Sequence, residues 1–124
     1  MGMYQLSTLN HWNVYAKKQQ EAWIAPTLLN GWVNFANGYE TSGYFKDELG
    51  IVHLKGTVKG GTNNIIFYLP IGYRPLARLF FPVRYWTGTQ ENIGIVQINP
   101  DGGVVRTLGT DEVAFDSISF RAGQ

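Results

Sequence analysis

The chain contains no cysteine, which excludes disulfide bonds and thiolate metal sites outright. Charge is also scarce. Ten Lys and Arg oppose nine Asp and Glu, for a net charge of +1 over 124 residues. No basic stretch stands out, so there is no electrostatic case for nucleic acid as a partner. No apolar run approaches the ~18 residues of a membrane-spanning helix. The start, MGMYQLST, lacks the charged-then-apolar order of a secretory leader. The letters KDEL at Lys46–Leu49 are internal and cannot act as a C-terminal address.

The usual chemical motifs are missing too. There is no phosphate-binding glycine loop, no serine nucleophile elbow and no HExxH. The two histidines, His11 and His53, lie in different contexts. His53 falls on the exposed parity of its strand and reads as an ordinary surface histidine. A metal site needs three or four ligands, and only carboxylates remain to join the histidines. No metal and no cofactor is therefore expected, with calcium at a symmetric interface the one open route. The adjacent pairs Asp47-Glu48 and Asp111-Glu112 are the only paired carboxylates. Each sits beside a glycine turn and points its two members to opposite faces if extended. Glycosidase chemistry needs one desolvated carboxyl with a partner at a set distance. These pairs read instead as solvated loop charges, and no catalytic residue is assigned.

What is present is aromatic and turn-rich. Aromatics make up 15% of the chain, and there are 15 glycines. With one domain's worth of length, that composition suits an all-β domain with many turns and argues against disorder. From Trp23 onward the apolar period is two. Trp32–Phe35 is a candidate strand, flanked by the turn signals Asn30-Gly31 and Asn37-Gly38. In Ile51–Lys59, Val52, Leu54 and Val58 share one face, while His53, Lys55, Thr57 and Lys59 share the other. Gly56, on the buried parity, marks a bulge or a close approach. Ile65–Leu69 has no polar member and is expected to be buried on both sides. Arg78–Trp86 reads as a strand with Leu79, Phe81, Val83 and Tyr85 inward. Pro82 on its other face favours an edge or a bulge. Ile93–Ile98 and Val104–Leu108 flank Asn99-Pro100-Asp101-Gly102-Gly103, a hairpin signal. A change of parity at Asp116-Ser117 implies a bend in the last strand. The expected core is Val52, Leu54, Val58, Ile66, Phe81, Val83, Ile95 and Phe115.

Residues 1–22 differ. Leu6, Leu9, Trp12 and Ala16 recur at helical spacing, while Trp12, Val14 and Ala16 also alternate as in a strand. This is a short helix or an irregular N-terminal arm, followed over 23–124 by a domain whose short strands and frequent turns describe a β-sandwich or barrel. Short helices are marginal alone in water, and the arm's Met3, Tyr4, Leu6, Leu9, Trp12 and Tyr15 need a surface to cover them.

Leu69–Pro75, LPIGYRP, is a corner. Two prolines with a glycine between them cannot continue a regular strand. Together with Asn30-Gly31-Trp32, Tyr44–Asp47, Gly50–Val58, Asp101–Val104 and Ile118–Phe120, it gives an order that resembles a domain of bacteriophage tail and baseplate proteins. These include the tail-fibre tips and receptor-binding proteins of siphophages of Gram-positive hosts. The likeness spans residues 23–122. It implies a jelly-roll-like antiparallel β-sandwich of about eight strands and a non-enzymatic structural or host-recognition role. The implied location is the virion tail, after synthesis in the host cytoplasm. The implied partners are other tail or baseplate proteins and two further copies in a homotrimer, with host cell-wall saccharide as a ligand class. The chain lacks the long shaft segments of full receptor-binding proteins. The alternatives are a lectin-like carbohydrate-binding module of an enzyme and a glycan hydrolase.

No binding motif carries over residue by residue from that family. Sugars present flat C–H faces to aromatic rings and hydroxyls to placed polar groups, in an otherwise apolar site. Trp86 closes a strand and opens the loop Thr87–Asn92, with Arg84 and Tyr85 beside it. These three are the candidate ligand-binding residues, because loops on a rigid sheet commonly carry binding groups. Trp32, opening an apolar strand, reads as core packing.

Overall fold

The structure, a computed structural model, describes residues 20–109 and 112–123. The expected arm falls outside these residues except at its end, as do His11, Trp12 and Asp111. Ten strands run through the described chain, and no helix occurs among its residues. They are β1 (Val33–Asn34), β2 (Gly43–Lys46), β3 (Ile51–Lys55), β4 (Thr57–Lys59), β5 (Ile65–Tyr68), β6 (Leu79–Trp86), β7 (Glu91–Ile98), β8 (Gly103–Leu108), β9 (Glu112–Ala114) and β10 (Ser119–Arg121). All pairings are antiparallel. The sheets have the orders β10-β3-β2, β1-β4-β9 and β5-β8-β7-β6.

The two three-stranded sheets are halves of one bent layer. Ile51–Lys59, read as a single strand from its alternation, is broken at Gly56 into β3 and β4, which belong to different sheets. Gly56 has φ +100, and a Cβ there would lie 2.5 Å from the backbone of Thr41 and Ser42. Only glycine accommodates both the turn and the approach. The partner strand breaks at the same level, at Asp116-Ser117 between β9 and β10. The Asp116 carboxylate accepts the Gly56 N–H at 2.8 Å, and the Phe115 N–H donates to the Gly56 carbonyl at 2.8 Å. The two strands therefore turn the corner together, and their exposed backbone groups stay paired.

The bent layer faces the four-stranded sheet, forming an antiparallel β-sandwich. Phe67 of β5 packs edge-on against Phe115 at 5.8 Å and stacks near Tyr44 of β2 at 6.3 Å. Phe81 of β6 meets Phe120 of β10 at 6.2 Å. Val52, Leu54, Val58, Val83 and Phe115 are buried as expected from alternation, and Ile66 as expected from its apolar run, but Thr57, expected on the wet face, is buried too, because the strand breaks at Gly56. Phe81 is only partly buried, though it packs on the core. Ile95 is misassigned: Val96 and Ile98 face inward, and Ile95 shares the outer side with Pro82, its cross-strand partner. β7 is apolar on both parities, so its alternation carried no information about which side is buried. Tyr68 likewise departs from the fully buried reading of its run, at 47% exposed. A register shift between Ile65 and Phe67 leaves Ile66 and Phe67 both inside and turns Tyr68 out.

Pro82 sits on β6, the edge strand of its sheet, where a missing N–H costs no ladder bond. The Asn99–Gly103 hairpin joins β7 to β8: the Asn99 N–H donates to the Gly103 carbonyl, the Gly102 N–H donates to the Asn99 carbonyl, and Gly102 takes φ +91. Trp32 is core, 2% exposed, with its indole N–H donating to the Asn63 carbonyl at 2.9 Å.

Candidate functional site

The Leu69–Pro75 corner is fixed by its own bonds and by its neighbours. The Tyr73 N–H donates to the Pro70 carbonyl, and Gly72 takes φ +98 in the turn. Arg74 Nε donates to the Leu69 carbonyl at 2.8 Å, and Lys46 Nζ to the Gly72 carbonyl at 2.9 Å. Glu21 ties the incoming chain to this corner. One of its carboxylate oxygens accepts the Lys46 N–H at 2.7 Å, and the other accepts the Tyr73 hydroxyl at 2.8 Å. Burial, aided by that bond and by the charge of Glu21, pushes the Tyr73 phenol up to about 12. Burial also raises the Tyr44 phenol, again with help from Glu21. Ile71 at the tip is 79% exposed. The corner is a rigid support with an apolar tip, and Glu21 is a residue that local periodicity gave no reason to notice.

Arg84, Tyr85 and Trp86 do not converge on one face. Alternation along β6 places Arg84 and Trp86 on the outer side, paired with Ile93 and Glu91 of β7. Tyr85 points to the other side, where its ring packs beside Gly94 and Gly109. Arg84 is already engaged: Nε donates to Glu91 at 2.8 Å, and a terminal nitrogen donates to Glu112 at 3.0 Å. Its guanidinium also lies 5.9 Å from the Tyr39 ring centroid. The bond to Glu91 is the main reason its pKa is raised, opposed by burial and helped by the charge of Glu112. Trp86 remains 39% exposed at the strand end.

The carboxylates differ from their expected reading. Glu112 is 4% exposed and held by Arg84, so it is a buried ion-pair member rather than a loop charge. Asp47 is an organiser of the β2–β3 turn. One oxygen accepts the N–H groups of Leu49 and Ile51, and the other lies 2.8 Å from His53 Nε2. The bond to His53, with the backbone N–H of Ile51, holds its carboxyl below the usual range. His53 is on the outer face, as its parity indicates, but it is fixed in place by Asp47 and stacked on Phe45 at 5.0 Å.

That stack belongs to a row on the outer side of β10-β3-β2. Ile24 forms a bridge with Tyr44, which brings Trp23 alongside β2. Trp23 meets Phe45 edge-on at 4.6 Å, and Lys55 Nζ lies 5.3 Å from its ring centroid. Lys55 is itself paired with Glu40 at 3.1 Å. Gly43 leaves the room for this arrangement: a Cβ there would meet Lys55 at 3.0 Å and Trp23 at 3.5 Å. Phe45 and Ser119 are both cross-strand partners of His53. The row is invisible in linear order, because Trp23, Phe45, His53 and Ser119 are joined only by strand pairing.

The outer side of the four-stranded sheet has different chemistry. Phe80 is 58% exposed, Ile93 69% and Leu108 56%. Pro82 and Ile95 lie between them by register. This is an apolar sheet face.

No family model and no curated protein matches the sequence. Among solved structures, the crystal structure of the receptor binding protein (gp15) of Listeria phage PSA has the same fold. It matches with a TM-score of 0.75 over 99% of this chain and 78% of that one, at 15% sequence identity.

Proposed function

We propose that this chain is a non-enzymatic host-recognition module of a phage tail, carried on the virion and taking a cell-wall saccharide as its ligand. The observation that carries the reading is the shared fold, over 99% of the chain, with a protein described as a phage receptor binding protein. The carboxylates support the non-enzymatic part. Asp47 is committed to a turn and to His53, and Glu112 to Arg84, so neither is poised for proton transfer. The apolar outer face of β6, β7 and β8 supports assembly, since exposed patches of this kind mark protein contacts. In this reading the chain is a homotrimer, with residues 1–22 as an arm contributing to the contact and 23–124 as the sandwich. A closed cyclic arrangement lets one arm surface be buried three times without open ends. Other tail or baseplate proteins are its further partners.

Immunogold labelling of virions with antibody to the purified chain tests place and role together. Gold at the tail tip is the expected result. Virions that carry no label while the lysate contains the free protein would remove the chain from the tail and favour the enzyme-borne carbohydrate module. Release of reducing sugar from cell walls would instead establish the hydrolase.

A further inference from the structure

The outer face of β10-β3-β2 pairs an exposed ring with ordered polar groups in one continuous row. On the β10-β3-β2 face, Trp23 is 47% exposed although Phe45, Lys55 and Gly43 hold its ring in one place. His53 lies next along the row, locked by Asp47 and stacked on Phe45, with the exposed Ser119 across the strand. We propose that this face, centred on Trp23, is a binding platform for a saccharide unit. The inference rests on the host-recognition reading for the source of that saccharide and deepens it by naming the site.

Three features select this ligand chemistry. An exposed indole fixed at the edge of a sheet offers a flat apolar surface to the C–H face of a sugar ring. The imidazole of His53 and the hydroxyl of Ser119 follow Phe45 across the strands, with the Asp47 carboxylate bonded to His53, and these groups can donate to and accept from ring hydroxyls. The charged groups beside Trp23 and His53 are already engaged, Asp47 by the His53 ring and Glu40 by Lys55. The network is also in place before any ligand arrives, which lowers the ordering cost of binding. By contrast, Arg84 at the end of β6 is occupied by two carboxylates, and Tyr85 faces away from it.

The experiment measures binding of the full chain to purified Gram-positive cell walls, for the wild type and for Trp23→Ala and Trp86→Ala. Soluble wall saccharide is added in parallel to isotope-labelled wild type. The expected result is that Trp23→Ala binds about tenfold or more weakly, a larger loss than that of Trp86→Ala. In the labelled protein, the signals of Trp23, His53 and Ser119 are expected to shift. A Trp23→Ala protein that binds like the wild type overturns the platform and leaves host recognition standing. So do ligand shifts confined to residues off this face, a readout that needs no variant to fold. Failure of the wild type to bind any wall counts against host recognition itself, and the platform falls with it.

Discussion

Leu54 lies in the core of the sandwich, 3% exposed. Leu54 alternates with His53 and Lys55, and it is buried as the alternation requires. Leu54→Ala is expected to cost about 2–5 kcal/mol in a urea melt; a loss under about half a kcal/mol would put Leu54 on the surface. Ile95 has apolar neighbours on both parities, so its side was decided by pairing with β6, which no local pattern encodes. Asp47 gives a pH signature. Its bonds to His53 and to the backbone of Ile51 and Leu49 depress its native pKa below the ordinary 3.8. The stability it contributes is therefore present above that ordinary value and lost as pH falls through the native one. Urea melts should show the wild type more stable than Asp47→Asn at neutral pH, with the gap closing in acid. Tyr73 gives the opposite signature. Its pKa is raised from 10.0 to about 12, so the stability it contributes is present below 10 and lost as pH rises toward 12. The wild type should lose stability relative to Tyr73→Phe across that alkaline window, and equal slopes would separate Tyr73 from Glu21.

At the scale of elements, the glycines and the parity changes were more informative than the strand lengths. The sequence marked Gly56 and Asp116-Ser117 as irregular, but not that they sit side by side. Their meeting is what turns one apparent strand into β3 and β4 and bends the layer. Two glycine replacements separate local strain from this corner role. Gly38 has φ +89 with nothing within 4 Å of a Cβ, so Gly38→Ala should cost about 1 kcal/mol from backbone strain alone. Gly56 adds a 2.5 Å collision with backbone, and Gly56→Ala should cost more than about 3 kcal/mol, strain and overpacking together. Equal losses in parallel thermal melts would mean that the layer bends without the close approach to Ser42. The Trp23 row was unreadable for a similar reason: the bridge from Ile24 to Tyr44 assembles it across a gap in sequence.

For the whole molecule, the order of short strands and turns describes a β-sandwich or barrel, and the sandwich is what the resemblance carried by the Leu69–Pro75 corner and its flanking segments implies. The number of strands was underestimated because corners split two of them. In the proposed trimer the unburied apolar surface forms the contact, so sedimentation equilibrium should find a trimer for the full chain, with a chain starting at Glu21 dissociating more readily. A full chain that sediments as a monomer would contradict the trimer, and a trimer indifferent to the arm would contradict the role given to residues 1–22. The central claim is that this sandwich recognises the host surface, and competition tests it most directly. Host cells are preincubated with the purified chain, and adsorption of phage that carry it on the virion, as proposed, is then counted. The account predicts that adsorption falls with increasing chain and is restored by Trp23→Ala in place of the wild type. Adsorption unchanged by saturating amounts of the folded chain would contradict it.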